Sequence, residues 1–254
     1  MERSRTEDIS GFQLKILALV TMTIDHIGAI LLEQNPHYSE ASVQYLDFVF
    51  RAIGRLAFPL FCFFIVEGFH YTRNRKKYAI RLLIFAMVSE IPFDMAFNGR
   101  ILEGRDNNVG FTLLTGMLSI WILDTFIKRI YRKYSDRFHR WLLTGLAIGV
   151  VLLVVYILEN NMIRSDYGAA GVFAIVFLYL FMNYKMRGFT IAVIWLGLTC
   201  GMIEFISLLD LLPLYFYHGR QGRKMKYLFY IFYPVHLLIL AGIGYALGWI
   251  HFGV

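Results

Sequence analysis

The sequence predicts an all-α, polytopic transmembrane helical bundle, and three observations carry that prediction. The composition is 58% hydrophobic and only 17% charged over 254 residues, with a mean hydropathy of +0.56, which is too apolar for a soluble domain of this length. Apolar runs of roughly 16 to 24 residues recur along the chain, and about 20 residues cross a bilayer as a helix. The short alternating segments of a membrane barrel are missing, which leaves helices as the spanning element, because lipid offers no partner to unpaired backbone groups. The runs follow one another almost without interruption, so residues 1–254 read as a single transmembrane domain.

Eight apolar blocks are visible in order: Phe12 to Glu33, Phe48 to Tyr71, Ala79 to Asn98, Val109 to Ile127, Trp141 to Leu158, Gly168 to Asn183, Gly188 to Tyr217 and Tyr227 to Ile250. The opening MERSRTEDISG has no short apolar region followed by a small-residue cleavage site, so the first block reads as a retained helix and not a signal peptide. Basic clusters alternate with nearly neutral loops. Arg73, Arg75, Lys76, Lys77 and Arg81 form one cluster, Lys128, Arg129, Arg132, Lys133, Arg137 and Arg140 a second, and Lys185 with Arg187 a third. The intervening loops hold at most Arg100 and Arg105, or Arg164 alone. Lys and Arg accumulate on the cytoplasmic side, so the N-terminus is expected there. The net charge of +7 is thus a topology signal and not evidence for nucleic acid.

The seventh block is followed by a further basic stretch, HGRQGRKMK, so an even number of crossings is required between Gly188 and Arg220. That block is expected to be a hairpin turning near Thr199 to Gly201, with arms of roughly 22 Å at 1.5 Å per residue. The expectation is therefore about nine helices, with a re-entrant pair as the alternative for residues 188–217. Cys62 and Cys200 both lie in apolar runs, are too few for a disulfide framework or a zinc site, and read as packing residues.

Ionisable residues inside the apolar blocks carry the functional signal, because a charge at bilayer depth costs a few kcal/mol on insertion scales. Counted from the basic ends at about 1.5 Å per residue, His26 lies roughly 21 Å deep, Arg55 about 24, Glu90 about 17, Asp94 about 23 and His236 about 14. They share one layer. Arg51 and Arg55 are four apart on one helix, and Glu90 and Asp94 four apart on the next, so each pair projects from one helical face and the two pairs are expected to meet. Adjacent residues point about 100° apart on a helix, so Asp25 is not expected to orient His26 directly and is free to pair with Arg55. Such charges also serve simply as helix clamps, a reading that applies to Arg51, Asp94 and Glu67. His26 is different. Histidine titrates near neutrality and suits proton transfer, and this one sits in VTMTIDHIGAI beside an acid. His236 follows Pro234, a helix-kinking residue, and reads equally as a substrate contact or a packing histidine. Thr112 and Thr115 are expected to bond to their own helix. The catalytic set read from this layer is His26, Asp25, Arg55 and Glu90, with Arg51, Asp94, Asn108 and His236 as substrate contacts.

The sequence resembles the TraX family, named for a conjugal-transfer pilin acetyltransferase. The resemblance is carried by LKILALVTMTIDHIGAIL, RAIGRLAFPLFCFFIVEGFHYTRNRKKYAIRLL, SEIPFD, NNVGFTLLTG and LLPLYFYHGRQGRKMKYLFYIFYPVHLLIL, nearly end to end. It implies a membrane-embedded acetyltransferase, similar in plan to the acyltransferase-3 and heparan-glucosaminide acetyltransferase groups, with cytoplasmic acetyl-CoA as donor co-substrate. The ten-helix plan of that wider group differs from the nine helices counted here. The catalytic first-helix histidine of those relatives corresponds to His26, which would take a proton from the acceptor. Arg55, with Asn108, would stabilise the oxyanion. Arg73, Arg75, Lys76 and Arg81, or Arg220 and Arg223, would bind the phosphates of CoA.

The implied setting is the bacterial inner membrane, with lipid, acetyl-CoA and a peptide or glycan acceptor as partners. The acceptor stays open between an amine, such as a pilin or other peptide N-terminus, and a cell-envelope hydroxyl. Two other classes compete: a proton-coupled transporter, for which corresponding inverted halves are not visible, and a non-catalytic membrane component of a conjugation or secretion system. No glycine-rich nucleotide loop accompanies the basic clusters, which argues against ATP-driven work.

Overall fold

The computed structural model describes residues 8–223 and 226–251. The MERSRTE stretch and Lys224 of the last basic segment lie outside the described residues. Helix α1 (Gly11–Ile27) starts where Ser10 and Gln13 form a capping box, each satisfying a backbone N–H of the other, and it runs on through one π turn, Gly28–Leu32. Helices α2 (Ala41–Gly54) and α3 (Ala57–Tyr71) form one run broken at Arg55 and Leu56. The break has a cause in the sequence. Pro59 has no N–H to offer the carbonyl of Arg55 four residues earlier, and the Ser207 hydroxyl donates to that carbonyl instead, at 2.7 Å.

Helix α4 (Arg75–Phe97) is capped by Asn74, α5 (Val109–Lys133) by Asn108 and α6 (Arg137–Leu158) by Asp136, each side chain accepting from a first-turn N–H. Helix α6 extends into a π turn, Glu159–Ile163, and ends at Arg164 in the left-handed region. Helices α7 (Gly168–Leu180) and α8 (Lys185–Thr199) follow at a bend of 80°. The expected turn is present: α8 stops at Thr199, and Gly201 takes φ 129°, a conformation that favours glycine. The returning arm is a correction. It consists of a 3₁₀ segment, Met202–Asp210, and a single turn, α9 (Leu211–Tyr215), rather than the short α-helix expected. Helix α10 (Lys226–Ala246) contains Pro234.

Among the described residues, five helices are long and apolar enough to cross a membrane, or six if α7 and α8 count as one bent span. Of the nine spans counted from the sequence, α4 drops out because it carries Arg81, Glu90 and Asp94 in its apolar run, α7 and α8 are each too short to cross alone, and the hairpin's second arm is a 3₁₀ segment with one turn. Two apolar cores organise the bundle. The larger joins the start of α1 to α3, α5, α7 and α8, through residues such as Leu14, Leu60, Met117, Ile175 and Phe189. The smaller joins the end of α1 to α4 and α10, through Met22, Phe93, Tyr233 and Leu237. Helix α6 buries only Val151 and Val155 and turns a broad apolar surface outward. Cys62 is buried, as a packing residue should be, whereas Cys200 is exposed at the hairpin turn.

The loops sort to two ends. Ile9 bridges to Tyr217, the Arg220 carbonyl accepts from Gly11, Lys185 donates to the Leu214 and Tyr217 carbonyls, and Arg75 pairs with Asp124. These contacts gather the basic segments at one end of the bundle. At the other end Asn107 bridges to Ser165.

Candidate functional site

The last helical turn of α1 supplies two polar side chains that point to different neighbours. Asp25 faces the α2–α3 break, where its two oxygens accept from Arg51 at 2.8 Å and Arg55 at 2.7 Å. The approach is close because residue 54 is glycine: a Cβ there would fall 2.2 Å from the Cβ of Asp25. Arg55 also donates to Glu204 at 2.9 Å and to the Tyr167 hydroxyl at 3.4 Å. Glu204 is 1% exposed, and Tyr167 stacks on Phe58 with ring centroids 3.5 Å apart. Arg51 additionally approaches Glu33 at 3.5 Å. Two guanidinium groups thus bridge carboxylates from α1 and the 3₁₀ arm, the arrangement in which planar, many-donor Arg side chains are most effective.

His26, one residue on, faces α4 and α10. Its Nδ1 lies 2.6 Å from Nε2 of His236, with the rings 5° from parallel. The edges of Phe97 and Tyr233 close around it at 5.8 and 5.9 Å. His236 is 6% exposed, and its Nδ1 lies 2.9 Å from the carbonyl of Phe232 in its own helix.

The expected meeting of an Arg pair with a carboxylate pair is therefore corrected. Arg51 and Arg55 pair with Asp25, Glu33 and Glu204, while Glu90 and Asp94 have other partners. Glu90 accepts from the backbone N–H of Asn108 at 3.1 Å and from its side-chain amide. Asn108 is wholly buried and also donates to the Ala86 carbonyl at 2.8 Å while capping α5. Asp94, also wholly buried, accepts from Asn98 at 3.2 Å and from the Glu103 backbone at 2.7 Å, which anchors the 98–103 loop. Helix rotation decides this: α2 turns its Arg residues toward α1, and α4 turns its acids toward the start of α5. Thr112 departs from expectation too, donating to Ser165 at 2.8 Å instead of to its own helix.

The candidate phosphate ligands divide. Arg75 is committed to Asp124 at 2.6 Å and lies over Phe69. Arg220 donates to the Asp8 carbonyl at 3.0 Å. Arg81 lies beside the Tyr78 ring, within α4 and past the loop. Arg73, Lys76 and Arg223 are exposed. At the same basic end a cavity of about 420 Å³ is lined by Glu67, His70, Lys185, Tyr217 and His218 over apolar residues including Val66. Its Tyr217 hydroxyl donates to Glu67. The cavity lies some 22 Å along α1 from His26, fifteen residues at about 1.5 Å each from Gly11.

Sequence reasoning missed Glu204, Tyr167 and the Lys185–Tyr217 cavity. Glu204 had a signal, since it and Asp210 are the two acids in the seventh apolar block. Tyr167 had none, being one of 16 tyrosines in the chain.

Comparison with known proteins matches residues 10–244 to the family model described as TraX protein. A protein of Dichelobacter nodosus named "Probable fimbrial assembly protein FimC, serogroup H1" is 37% identical over 126 residues, covering 47% of this chain and 48% of its own. An uncharacterized protein of Rickettsia prowazekii (strain Madrid E) is 27% identical over 155 residues, covering 61% of this chain and 49% of its own. The chain spans about half the length of these curated relatives. No solved structure matches the chain.

Proposed function

The chain belongs to the TraX family, and from that premise we propose that it is a membrane-embedded acetyltransferase moving acetyl from cytoplasmic acetyl-CoA to an amine or hydroxyl acceptor. The observation that carries this reading is His26: an imidazole enclosed between Phe97 and Tyr233, held through Nδ1 by His236, with no bond at Nε2 among the described residues. A positioned imidazole with a free nitrogen is the equipment of a general base.

In this mechanism His26 takes the proton of the acceptor N–H or O–H as that atom bonds to the acetyl carbon. It then returns the proton to the departing thiolate as the carbon–sulfur bond breaks. Arg55 and Arg51, fixed by Asp25 and Glu204, supply positive potential to the developing oxyanion from the next face of α1. The basic end has the chemistry to receive the donor: Arg73, Lys76 and Arg223 are exposed, and Lys185, His70 and His218 surround an apolar-floored cavity. The thioester must then reach about 22 Å into the bundle. The excess of Lys and Arg supports reading the same basic end as cytoplasmic, with the N-terminus on the cytoplasmic side of a bacterial inner membrane. The Dichelobacter relative's name supports an acceptor among pilin or fimbrial subunits.

The test is acetyl-CoA binding and hydrolysis by the purified protein in detergent, comparing wild type with His26→Ala and with a variant neutralised at Arg73 and Lys76. Binding weakened by the loop change, together with hydrolysis lost with His26, supports the donor half-reaction. Folded protein that binds no CoA overturns the reading in favour of a transporter or a scaffold.

A further inference from the structure

The hydrogen bonds around His26 determine more than its location. A carbonyl oxygen only accepts, so the 2.9 Å contact between His236 Nδ1 and the Phe232 carbonyl requires the proton on His236 Nδ1. In the neutral ring, His236 Nε2 is then an acceptor. Its 2.6 Å partner, His26 Nδ1, must be the donor, which leaves a lone pair on His26 Nε2. The direction of the whole chain, from His26 through His236 to the main chain of α10, is set by one backbone carbonyl.

From this we infer that His236 is a positioning residue that locks His26 in the Nδ1–H tautomer, so that His26 reacts through Nε2. This assignment rests on the acetyltransferase reading for its kinetic consequence but not for its structural one. When His26 Nε2 takes the acceptor's proton, the imidazolium keeps its Nδ1–H bond to His236, whose own Nδ1–H stays on the Phe232 carbonyl. The dipole of that chain points its acceptor end at the new cation. When Nε2 gives the proton to the thiolate, the starting tautomer is restored and no proton is gained or lost. His236 touches neither acceptor nor thioester in this scheme. Its place on α10, 210 residues from His26 in sequence, makes the docking of the last helix a condition for a competent base.

The test uses the full chain in detergent or nanodiscs, with nitrogen-15 NMR of the histidine side chains. The His26 signals are assigned by their loss in His26→Ala. The wild type is expected to show His26 protonated at Nδ1 and bare at Nε2. His236→Leu, which cannot accept a hydrogen bond, is expected to release the ring into a tautomer mixture. His236→Gln, whose amide oxygen reaches toward the same position, is expected to retain the Nδ1–H form. Transfer kinetics should follow, with kcat falling about 10²-fold in His236→Leu at unchanged KM for the thioester, and recovering largely in His236→Gln. A wild-type ring protonated at Nε2, or a His236→Leu protein that keeps both the Nδ1–H form and its kcat, overturns the inference. A protein with the expected tautomers and no transferase activity overturns the acetyltransferase reading and leaves the tautomer assignment standing.

Discussion

Arg55 reaches Glu204 across 149 residues of chain, at 2.9 Å, while its other terminal nitrogen holds Asp25 at 2.7 Å. The guanidinium therefore ties the first helix to the 3₁₀ arm of the hairpin, with Glu204 buried and Arg55 and Asp25 largely so. Removing it leaves the buried Glu204 without its cation and Asp25 with Arg51 alone. Arg55→Gln is expected to destabilise the protein by about 3–5 kcal/mol, the range for breaking a buried ion pair. Arg55→Lys should recover only part of this, because one ammonium cannot fork between two carboxylates. Thermal unfolding in detergent measures both, and an unchanged midpoint for Arg55→Gln refutes the linkage.

His26→Ala is expected to lower acetyl transfer by about 10²- to 10⁴-fold, the usual contribution of a general base. Yield and unfolding midpoint should stay near wild type, because the ring's one side-chain bond is to His236. Turnover equal to wild type excludes His26 as the base.

Gly54→Ala should destabilise although the change is a single methyl. The new Cβ falls 2.2 Å from the Cβ of Asp25, so α1 and α2 must separate. Overpacking of this kind costs about 1–3 kcal/mol, and here it also loosens Asp25 from Arg51 and Arg55. Gly145→Ala on α6, where a Cβ meets nothing within 4 Å, is the control and should be stabilising by up to about 1 kcal/mol, since alanine favours a helix interior over glycine.

The basic stretch at the start of α4 is expected to separate into stabilising and ligand-binding charges. Arg75→Gln breaks the bond to Asp124 and should lower the unfolding midpoint. Arg73→Gln with Lys76→Gln alters exposed residues and should leave the midpoint alone while weakening acetyl-CoA binding. That weakening should be largest at low salt, since screening erodes exposed charge interactions. Equal effects of both changes on stability and binding would contradict the division.

At the start of α6, the His139 backbone N–H and then the His139 side chain hold the Asp136 carboxyl below the usual carboxylate range. A depressed folded-state value means that this cap stabilises fully above the unfolded carboxylate's range, and that its contribution is lost as pH falls through the folded value. Carbon-13 NMR titration should show Asp136 protonating at lower pH than a free aspartate. Asp136→Asn keeps an N-cap and should remove this part of the acid sensitivity.

The bundle was legible because its causes are local. Apolar runs and the glycine at the hairpin turn act within a few residues. The shared depth expected for His26, Arg55, Glu90, Asp94 and His236 rests on the helical rise alone. The Asp25–Arg55 pairing was anticipated because Asp25 and His26 must diverge by about 100°. The 3₁₀ character of the second arm was not, since length in residues does not distinguish an α-helix from a 3₁₀ segment followed by one turn.

By itself, then, the sequence determined an all-α membrane chain and its loops of alternating charge. Only the tertiary structure decided which other groups meet: Arg51 with Asp25, Arg55 with Glu204, Glu90 with Asn108, and His26 with His236. The physical reason is that depth follows from position along one helix, whereas pairing depends on the rotation of each helix and on the packing that sets it beside its neighbours. That packing is decided by contacts such as Gly54 against Asp25, which are far apart along the chain and invisible in any single segment.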